Sequence, residues 1–386
     1  MSGIQGRPLR VALVTSSYNF ITDGVALTLN RLVGWLGTQG VQVKVFAPTG
    51  PKPALAHQGE LISVPSMPLP GRPEYRLAFG LGSDAQRRLL DFKPDLIHIA
   101  VPDLLGLAAL KLAQKHNIPV VASYHTRYET YLRHYWYLRG LEKPLKRYLR
   151  WFYGAAREVY VPSWSVRAAL LADGLRDNFK PWPRGIDTAR FDPRKRSTAW
   201  REHHGIGPDE IVVLHVSRLV REKRLDTLTA ALRQLTVPHR VLIVGDGPER
   251  EFVQGELPNA IFTGFLAGED LAAAYASSDI FVFPSDSESF GNVTLEAMAS
   301  GLPCVCADAT GSRSLVAAGE TGFLAPADDA AAFARHITTL AQGRALRAAL
   351  GGAARLRAQS FSWEETLAKM LGYYRAVLAT DLKTSP

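Results

Sequence analysis

Two glutamates flank the start of a predicted helix in a segment rich in Ser, Gly and Asn, residues 285–296. Glu288 lies in the loop and Glu296 in the first turns of the helix, which ends near Gly301. Carboxylates accept hydrogen bonds from hydroxyl groups, and sugar rings present such hydroxyls in pairs. Backbone amides at a helix start bind phosphate. This segment could hold both halves of a sugar nucleotide, although a carboxylate there can also act only as a partner of the helix dipole.

A second group of charged residues follows a predicted buried strand and precedes a helix, at residues 217–224. Arg218 and Lys223 could converge on one anion at the carboxyl end of that strand. A guanidinium and an ammonium together suit a diphosphate. The alternative is a basic turn that faces solvent, as charge runs commonly do.

The first half of the chain offers weaker signals. Gly24 begins a predicted helix, where exposed amides and the helix dipole suit a phosphate, but a single glycine can equally mark a helix start. The Gly-x-Gly-x-x-Gly dinucleotide pattern is absent here. His125 follows a predicted strand, and by itself it could be a structural histidine that only makes hydrogen bonds.

These residues sit in two series of alternating strands and helices, separated by a segment rich in Pro and Gly at 178–192. Apolar runs such as 9–15 and 211–216 are typical of parallel strands buried on both faces. The pattern predicts an α/β protein with two doubly wound, Rossmann-like domains facing a central cleft. The predicted domains are 1–178 on the acceptor side and 179–360 for the nucleotide sugar, with a C-terminal helix, 361–386, packing back on the first.

The combination of these motifs resembles the retaining GT-B glycosyltransferases of family 4 (GT4). Glu288 and Glu296, Arg218 and Lys223, and the Gly-Asp-Gly-Pro turn at 245–248 carry the resemblance, which extends over nearly the whole chain. The sequence is most similar to bacterial lipid glycosyltransferases, the branch of sulfolipid synthase and of diacylglycerol or phosphatidylinositol glycosyltransferases.

The resemblance implies a role for each matched residue. Arg218 and Lys223 would neutralise the donor diphosphate, Glu288 would hold hydroxyls of the transferred sugar, and His125 would lie near that sugar. Glu296 would bind the ribose hydroxyls. The remaining implied contacts with the nucleotide sugar are Gly24, Gly245, Gly264, Phe265, Phe290, Gly291, Asn292, Val293 and Thr294.

Two segments depart from the family pattern. A paired glycine is replaced by Asp23-Gly24, and we expect Asp23 to cap the helix or to point toward the acceptor because it would repel a diphosphate. Residues 308–313 lack the usual Gly-Gly-x-x-Glu run, so no contact is carried over there. No Asp-x-Asp occurs, and we expect neither an essential metal nor any other cofactor, because Arg218, Lys223 and helix amides can stabilise the leaving diphosphate.

The net charge of +9 is concentrated in the first half, where residues 1–180 hold 23 Lys and Arg against 12 Asp and Glu. Residues 127–157 alone hold eight basic residues against two acidic ones, together with an apolar stripe that includes Leu141, Leu145 and Leu149. One interpretation is a helix that faces the core with a solvated basic side. The other is a surface for an anionic membrane, with preceding aromatic residues at headgroup depth. Both interpretations can hold if the apolar stripe packs inward and only the edge of this surface contacts lipid.

Composition narrows the class of protein. A hydrophobic fraction of 47% is typical of a globular chain, and no apolar run is long enough to span a membrane. The N-terminus lacks the apolar region of a signal peptide. Two cysteines cannot form a disulfide framework, so the sequence predicts a cytoplasmic, reduced location, peripheral on the cytoplasmic face of a membrane. No nucleic-acid-binding module is present.

The sequence therefore predicts a metal-independent, retaining hexosyltransferase that uses a nucleotide-diphosphate sugar. A UDP-sugar is favoured, with GDP-mannose as the other option, and a membrane lipid such as diacylglycerol or a glycolipid is the expected acceptor. Three alternatives stay open: a soluble sugar or polysaccharide acceptor, a sugar-nucleotide epimerase and a silent binding module. The intact set of Arg218, Lys223, Glu288 and Glu296 favours transfer. The pattern does not decide the oligomeric state.

Overall fold

The structure is a computed structural model that describes residues 7–69, 72–125 and 140–384. The chain divides into two compact units. Within the described parts, the first unit contains the residues up to 182 and residues 364–384, and the second is Pro183–Trp363. The chain thus passes from one unit to the other twice.

The first unit is built on a parallel sheet of seven strands in the order β3-β2-β1-β6-β7-β8-β9, with β4 and β5 as a separate antiparallel hairpin. The strands are β1 (Arg10–Val14), β2 (Gln42–Ala47), β3 (Glu60–Ser63), β4 (Ser66–Leu69), β5 (Arg72–Ala78), β6 (Leu96–Ile99), β7 (Val120–Ser123), β8 (Glu158–Val161) and β9 (Phe179–Pro181). The chain runs outward in both directions from β1 and β6. Their carboxyl ends form the switch point at which such sheets bind ligands.

Within the described residues up to 182, the helices of this unit are α1 (Gly24–Thr38), α2 (Gly82–Phe92), α3 (Leu104–Lys115), α4 (Glu142–Gly154) and α5 (Trp164–Ala172). Short polar side chains begin three of them, because a side-chain oxygen can accept from the unpaired amides of the first turn. Asp23 accepts from the amide of Ala26, and Asp103 accepts from the amide of Gly106. Ser163 caps α5 by accepting from the amide of Val166.

Helix α4 buries one side against the core and exposes the other. Leu149 and Phe152 are buried, as expected for a helix that faces the core. Leu141 is 53% exposed, so the buried part of the predicted apolar stripe does not extend to it. It immediately precedes the first residue of the helix. The aromatic residues predicted to precede α4, Tyr128, Tyr131, Tyr135, Trp136 and Tyr137, lie outside the described residues.

The second unit has a parallel sheet of six strands in the order β12-β11-β10-β13-β14-β15, with its switch point between β10 and β13. The strands are β10 (Val212–Val216), β11 (Arg240–Val244), β12 (Ile261–Gly264), β13 (Ile280–Phe283), β14 (Cys304–Ala307) and β15 (Gly322–Ala325). Side chains alternate between the two faces of a strand. Cys304 and Cys306 pack in one hydrophobic cluster and Val305 packs in the cluster on the opposite face.

The first helix of this unit precedes β10, and the others lie between its strands or after the last one. They are α6 (Thr198–His203), α7 (Leu225–Arg233), α8 (Arg250–Glu256), α9 (Gly268–Ala276), α10 (Asn292–Ala299), α11 (Thr310–Leu315), α12 (Ala330–Gln342) and α13 (Arg344–Gln359). Single 3₁₀ turns occur at Pro193–Lys195 and Arg221–Lys223.

The predicted loop at 178–192 is not irregular throughout. Its first residues form β9, the edge strand of the first sheet, and the prediction of a loop there was wrong. Proline is tolerated on an edge strand because one side of the strand needs no pairing partner. The later part of the segment is fixed within the second unit by Arg355, which donates to the carbonyls of Thr188 and Phe191 and to the carboxylate of Asp192.

The C-terminal helix α14 (Trp363–Thr384) belongs to the first unit from Glu364 onward. Leu367, Met370, Leu371 and Tyr374 recur at intervals of three and four residues and are buried. This spacing places them on one face of the helix. The first unit is therefore completed by residues from the far end of the sequence.

Candidate active site

The carboxyl ends of β10 and β13 bring two separate motifs together at the switch point of the second sheet. Lys223 follows β10, Glu288 follows β13, and the Lys223 ammonium contacts the Glu288 carboxylate. Ser285 and Ser287 donate to the carbonyl of Glu222 at 3.3 and 3.1 Å, so the two loops are also joined through the backbone. The structure thus joins residues that lie 65 positions apart.

The Lys223–Glu288 ion pair is largely shielded from water. The side chains are 14% and 22% exposed, and the Lys223 ammonium lies 5.9 Å from the ring centre of Phe283. A partly desolvated charge pair interacts more strongly than one in bulk water. A bound diphosphate would therefore compete with Glu288 for Lys223. Arg218 lies exposed at the end of β10, and its convergence with Lys223 on one anion stays a prediction.

The turn after β11 packs directly on the loop after β10. Gly245 has a φ of +125°, and a Cβ there would lie 1.8 Å from the carbonyl oxygen of Ser217. Its amide donates to the carbonyl of Gly264 at 2.8 Å, which places the two predicted glycines side by side. Phe265, the next residue, is 75% exposed. An exposed aromatic ring beside a close backbone contact is a surface on which a nucleotide base could stack.

Helix α10 begins at the same edge of the sheet. Gly291 adopts a φ of +98° and precedes Asn292, the first residue of the helix. Asn292 and Val293 are partly exposed, whereas Phe290 is buried with its ring centre 6.0 Å from that of Phe361. The Thr294 side chain is buried, with its hydroxyl 3.9 Å from the Cys306 sulfur. Among the predicted phosphate contacts, Thr294 can therefore contribute only its backbone amide.

Glu296 has a partner that the sequence reasoning missed. The Tyr275 hydroxyl donates to a Glu296 carboxylate oxygen at 3.0 Å and lies 3.2 Å from the carbonyl oxygen of Val293. Burial of the carboxylate raises the pKa of Glu296 to about 7, and the bond from Tyr275 partly opposes that shift. The charge of Glu296 thus changes near neutral pH. Tyr275 is the penultimate residue of the alanine-rich helix α9, which offers no sequence signal for such a role.

Residues 310–311 pack against the backbone and Cβ of Glu288. The sequence reasoning missed them as well. A Cβ on Gly311 would lie 2.7 Å from the Glu288 Cβ and 2.8 Å from its carbonyl oxygen. Thr310 donates its hydroxyl to the same carbonyl at 3.3 Å. The only available signal was the glycine itself, in the segment that departs from the family pattern. This segment thus positions Glu288.

In the first unit, the predicted residues lie after β1 and β7. Gly24 is the first residue of α1, and Asp23 caps that helix through the amide of Ala26 at 2.8 Å. Of the two expectations for Asp23, the structure shows the cap. Ser17 donates to the same carboxylate, and Ser16 contacts Asp103 at the start of α3. The loop after β1 thereby joins two helix starts at the switch point of the first sheet.

His125 stands two residues after the end of β7 and is buried. Its Nε2 atom lies 2.8 Å from the Ser123 hydroxyl, and its ring centre is 5.4 Å from the Trp182 ring in an edge-on contact. These contacts hold the ring in one orientation.

No group of three or more His, Cys, Asp or Glu side chains in the described parts of the chain could hold a metal ion. No helix within residues 7–69, 72–125 and 140–384 is long and apolar enough to cross a membrane.

Two family descriptions match almost the whole chain between them. Glycosyltransferase Family 4 matches residues 22–190, and Glycosyl transferases group 1 matches residues 196–357. The first match falls on the first unit and reaches into the segment after β9. The second falls within the second unit.

Similar proteins carry related names. Sulfoquinovosyl transferase SQD2 of Arabidopsis thaliana is 32% identical over 94% of this chain and 73% of its own length. A GDP-mannose-dependent alpha-mannosyltransferase of Mycobacterium tuberculosis is 33% identical over 96% of this chain and 97% of its own. An alpha-monoglucosyldiacylglycerol synthase of Streptococcus pneumoniae is 29% identical over 77% of this chain and 70% of its own.

Among solved structures, sucrose-phosphate synthase from Thermosynechococcus elongatus superposes with a TM-score of 0.80. It is 24% identical and covers 96% of this chain and all of its own. This likeness agrees with the two Rossmann-like α/β units of a GT-B glycosyltransferase.

Proposed function

Because this chain belongs to glycosyltransferase family 4, we propose that it transfers a hexosyl group from a nucleotide-diphosphate sugar to a lipid acceptor, with retention of the anomeric configuration. The relatives differ in what their names give: the donor GDP-mannose in one and the product monoglucosyldiacylglycerol in another. The reaction class is common to them. The proposal is therefore most specific in two points, the base of the donor nucleotide and the identity of the lipid acceptor.

The observation that carries the proposal is the Lys223–Glu288 contact at the switch point of the second unit. Lys223 supplies a positive charge beside the start of α10, whose first amides point toward the same edge of the sheet. Such an arrangement suits a diphosphate. Glu288 supplies a carboxylate for sugar hydroxyls within reach of that charge. One site can therefore bind the two parts of the donor that flank the bond to be broken.

In the proposed reaction, the bond between the anomeric carbon and the diphosphate oxygen breaks as the acceptor oxygen attacks from the same face. Lys223 and the α10 amides stabilise the negative charge that grows on the leaving diphosphate. The proton of the acceptor hydroxyl passes to a departing phosphate oxygen. Glu288 orients the sugar through its hydroxyls, and Glu296 binds the ribose.

We propose that this chemistry needs no divalent metal. The positive charge that a metal would bring to the diphosphate is supplied by Lys223, by the helix start and, when the donor binds, by Arg218. Transfer should then continue in excess EDTA. Loss of transfer in EDTA, with recovery on addition of Mg²⁺, would contradict this part of the proposal.

The lipid acceptor is supported by the exposed side of α4, which we call the α4 basic face: Leu141, Lys143, Arg147 and Trp151. Lys143 and Arg147 are exposed and one helical turn apart, and Trp151 is 48% exposed one turn further on. Basic residues and an exposed tryptophan suit an anionic membrane surface. We propose that the protein binds peripherally to a membrane, on its cytoplasmic face.

Lys146 and Arg150 are basic residues of α4 that we do not include in the α4 basic face, because both bond to other residues of the first unit. Lys146 forms ion pairs with Glu142 and Asp173, and Arg150 donates to the carbonyl of Asp173 at 2.8 Å. Substituting them would disturb contacts inside the first unit as well as any lipid contact. The α4 basic face is therefore better tested at Lys143 and Arg147.

A panel of donors and acceptors tests the proposal. Nucleotide release and product formation are measured with UDP-glucose, UDP-galactose and GDP-mannose, each with diacylglycerol in anionic vesicles, with a soluble sugar or with no acceptor. We expect lipid-dependent transfer from one donor, and loss of that transfer in Lys223→Ala. Transfer to the soluble sugar alone would overturn the lipid acceptor, and conversion of one nucleotide sugar into its epimer without acceptor would overturn transfer itself.

A further inference from the structure

A buried chain of hydrogen bonds connects His125 to the C-terminal helix. The Tyr374 hydroxyl lies 2.7 Å from His98 Nδ1, and His98 Nε2 lies 2.9 Å from the Ser123 hydroxyl. Ser123 in turn lies 2.8 Å from His125 Nε2. All four residues are buried in the first unit. The question is which way the protons point, because each neutral imidazole has one N–H donor and one acceptor nitrogen.

Tyr374 sets the direction at one end. Burial raises the pKa of its phenol well above the ordinary value, so the hydroxyl keeps its proton. Within the described residues its hydrogen-bond partner is His98 Nδ1. A buried hydroxyl proton without an acceptor is unfavourable. Tyr374 therefore donates, and His98 Nδ1 accepts.

His98 passes that direction on. Burial lowers the pKa of its ring to about 3, so the ring is neutral at ordinary pH and holds a single proton. Because Nδ1 accepts from Tyr374, the proton is on Nε2 and is donated to Ser123. Rotation of the ring is opposed by Tyr160 and Trp182, whose ring centres lie 5.7 and 5.9 Å from that of His98.

Ser123 has one proton to give. Its oxygen accepts from His98, so its own hydrogen is available for His125 Nε2, which then acts as the acceptor. The reverse arrangement, with His125 Nε2–H donating to Ser123, would end with the buried Tyr374 hydroxyl lacking an acceptor among the described residues. The two directions are thus not equivalent.

We propose that Tyr374, His98 and Ser123 are positioning residues that hold His125 as the neutral tautomer with its proton on Nδ1. If the proposed function is correct, a substrate oxygen that reaches Nδ1 meets an N–H donor and not a base. The acceptor proton must then leave by another route, which agrees with its transfer to the diphosphate. The C-terminal helix thereby sets the tautomer of His125 through a residue that need not touch any substrate.

The protons can be located by NMR on the full-length, ligand-free protein labelled with ¹⁵N at histidine. The signals of His125 and His98 are identified from His125→Asn and His98→Asn. We expect an unprotonated Nε2 and a protonated Nδ1 for His125, and the opposite for His98. A His125 ring protonated on Nε2 would overturn the proposal whatever the enzyme does, because no substrate is present.

Variants test the coupling. Tyr374→Phe removes the hydroxyl donor that fixes the direction of the hydrogen bonds. The tautomers of both histidines should therefore shift together toward the reverse arrangement. Tyr373→Phe is the matched control: Tyr373 is the neighbouring tyrosine, donates to the Pro181 carbonyl at 3.2 Å and lies outside the chain, so both tautomers should stay. In Tyr374→Phe, a change in the tautomer of His98 without one in His125, or no change in either, would contradict the proposed coupling, which we call the histidine relay (Tyr374, His98, Ser123 and His125).

Ser123→Ala links the relay to catalysis. It frees His125 Nε2 to take a proton, and we expect kcat to fall by about tenfold, the factor that one neutral hydrogen bond provides, with the donor KM little changed. Ser123→Thr keeps the hydroxyl and should restore both the tautomer and kcat. A changed tautomer with unchanged kcat would leave the relay intact and remove His125 from the sugar site. If Ser123→Ala fails to fold, Tyr374→Phe supplies the same two readouts.

Discussion

Tyr275 donates its phenolic hydrogen to Glu296 across 3.0 Å, from the helix that precedes β13 to the helix that follows it. This bond stabilises the ionised carboxylate, whereas burial favours the protonated one. The pKa of about 7 that results makes Glu296 sensitive to pH in the range where the enzyme is expected to work.

Donor affinity should therefore rise with pH. If ribose hydroxyls donate to the Glu296 carboxylate, binding requires the ionised form, and that form becomes dominant as pH rises through the pKa of about 7. We expect UDP-glucose or GDP-mannose, whichever binds, to gain about tenfold in affinity between pH 6 and 8. Isothermal titration calorimetry measures this change. These diphosphate diesters have no phosphate group of their own that titrates in the range.

Two variants check the assignment to Glu296. Glu296→Gln should abolish the dependence, since an amide does not titrate. Tyr275→Phe removes the bond that lowers the pKa of Glu296, so the midpoint should move to higher pH. A pH dependence that survives in Glu296→Gln would show that another group is responsible.

The same pKa predicts how Glu296 affects folding. In the unfolded chain its carboxyl titrates at its ordinary, lower pKa, so between that value and about 7 the folded protein binds the extra proton. The contribution of Glu296 to stability is therefore present at low pH and is lost as pH rises to about 7. Compared with the wild type, Glu296→Gln should lose less thermal stability over that interval.

Because Lys223 and Glu288 form an ion pair, we expect the effects of substituting them on nucleotide binding to be non-additive. Lys223→Ala should lower kcat by about 10²–10³-fold, because the charge that stabilises the leaving diphosphate is gone. It also leaves the Glu288 carboxylate near the diphosphate without that partner, so affinity for free UDP or GDP should fall.

Glu288→Gln should spare free nucleotide binding while it impairs turnover. The double variant, Lys223→Ala with Glu288→Gln, should bind nucleotide more tightly than Lys223→Ala alone, because the uncompensated negative charge is removed. Nucleotide binding by all four proteins completes the cycle. Loss of nucleotide binding in Glu288→Gln alone would contradict the role of Glu288 as the sugar ligand.

Gly311→Ala should damage turnover through Glu288. The added Cβ would overlap both the Cβ and the carbonyl of Glu288, and displacement by about 1 Å can cost a reaction up to about 100-fold. We expect kcat to fall while free nucleotide affinity stays close to the wild type. Gly352→Ala, on the exposed side of α13 with open space around it, is the control and should be neutral. Normal kcat in Gly311→Ala would show that residues 310–311 do not position Glu288.

Membrane binding should depend on the α4 basic face. Each basic residue near an anionic surface is worth about 1 kcal/mol, so reversing two of them should weaken vesicle binding at least about 30-fold. The test is Lys143→Glu with Arg147→Glu in a flotation assay. Donor hydrolysis should be nearly unchanged, because Lys223, Glu288 and Glu296 lie in the other unit. Added salt should mimic the variant.

The matched control reverses Lys111 and Lys115, two exposed residues near the end of α3 in the same unit, and makes the same change in net charge. It should bind vesicles like the wild type. Equal loss in both double variants would point to net charge alone, and equal binding of the wild type to neutral and anionic vesicles would shift the acceptor toward a soluble molecule.

The sequence predicts best those elements that are defined by their own residues. Continuous apolar runs identified β10 and β13, and the glycine and short polar residues identified the start of α10. The hairpin of β4 and β5 was missed because Pro68 and Pro73 interrupt it, which is typical of a loop. β9 was missed for the same reason: it ends at Pro181 on a sheet edge.

The site was predictable in its members but not in its contacts. Loops after parallel strands meet only when the strand order is known, and the contact of Lys223 with Glu288 depends on β10 and β13 being neighbours. Nothing near Tyr275 or Gly311 indicated which side chain each would contact. The separation of His98 and Tyr374 by 276 positions makes their bond invisible to any local pattern.

The course of α14 has a consequence for synthesis on the ribosome. The first unit buries Leu367, Met370 and Tyr374, which are translated after Pro183–Trp363 of the second unit. Until they emerge, the β6–β7 side of its sheet lacks its cover and His98 lacks its phenolic partner, whereas every residue of the second unit has already been made. The N-terminal half of this enzyme, although translated first, is therefore the half that finishes folding last.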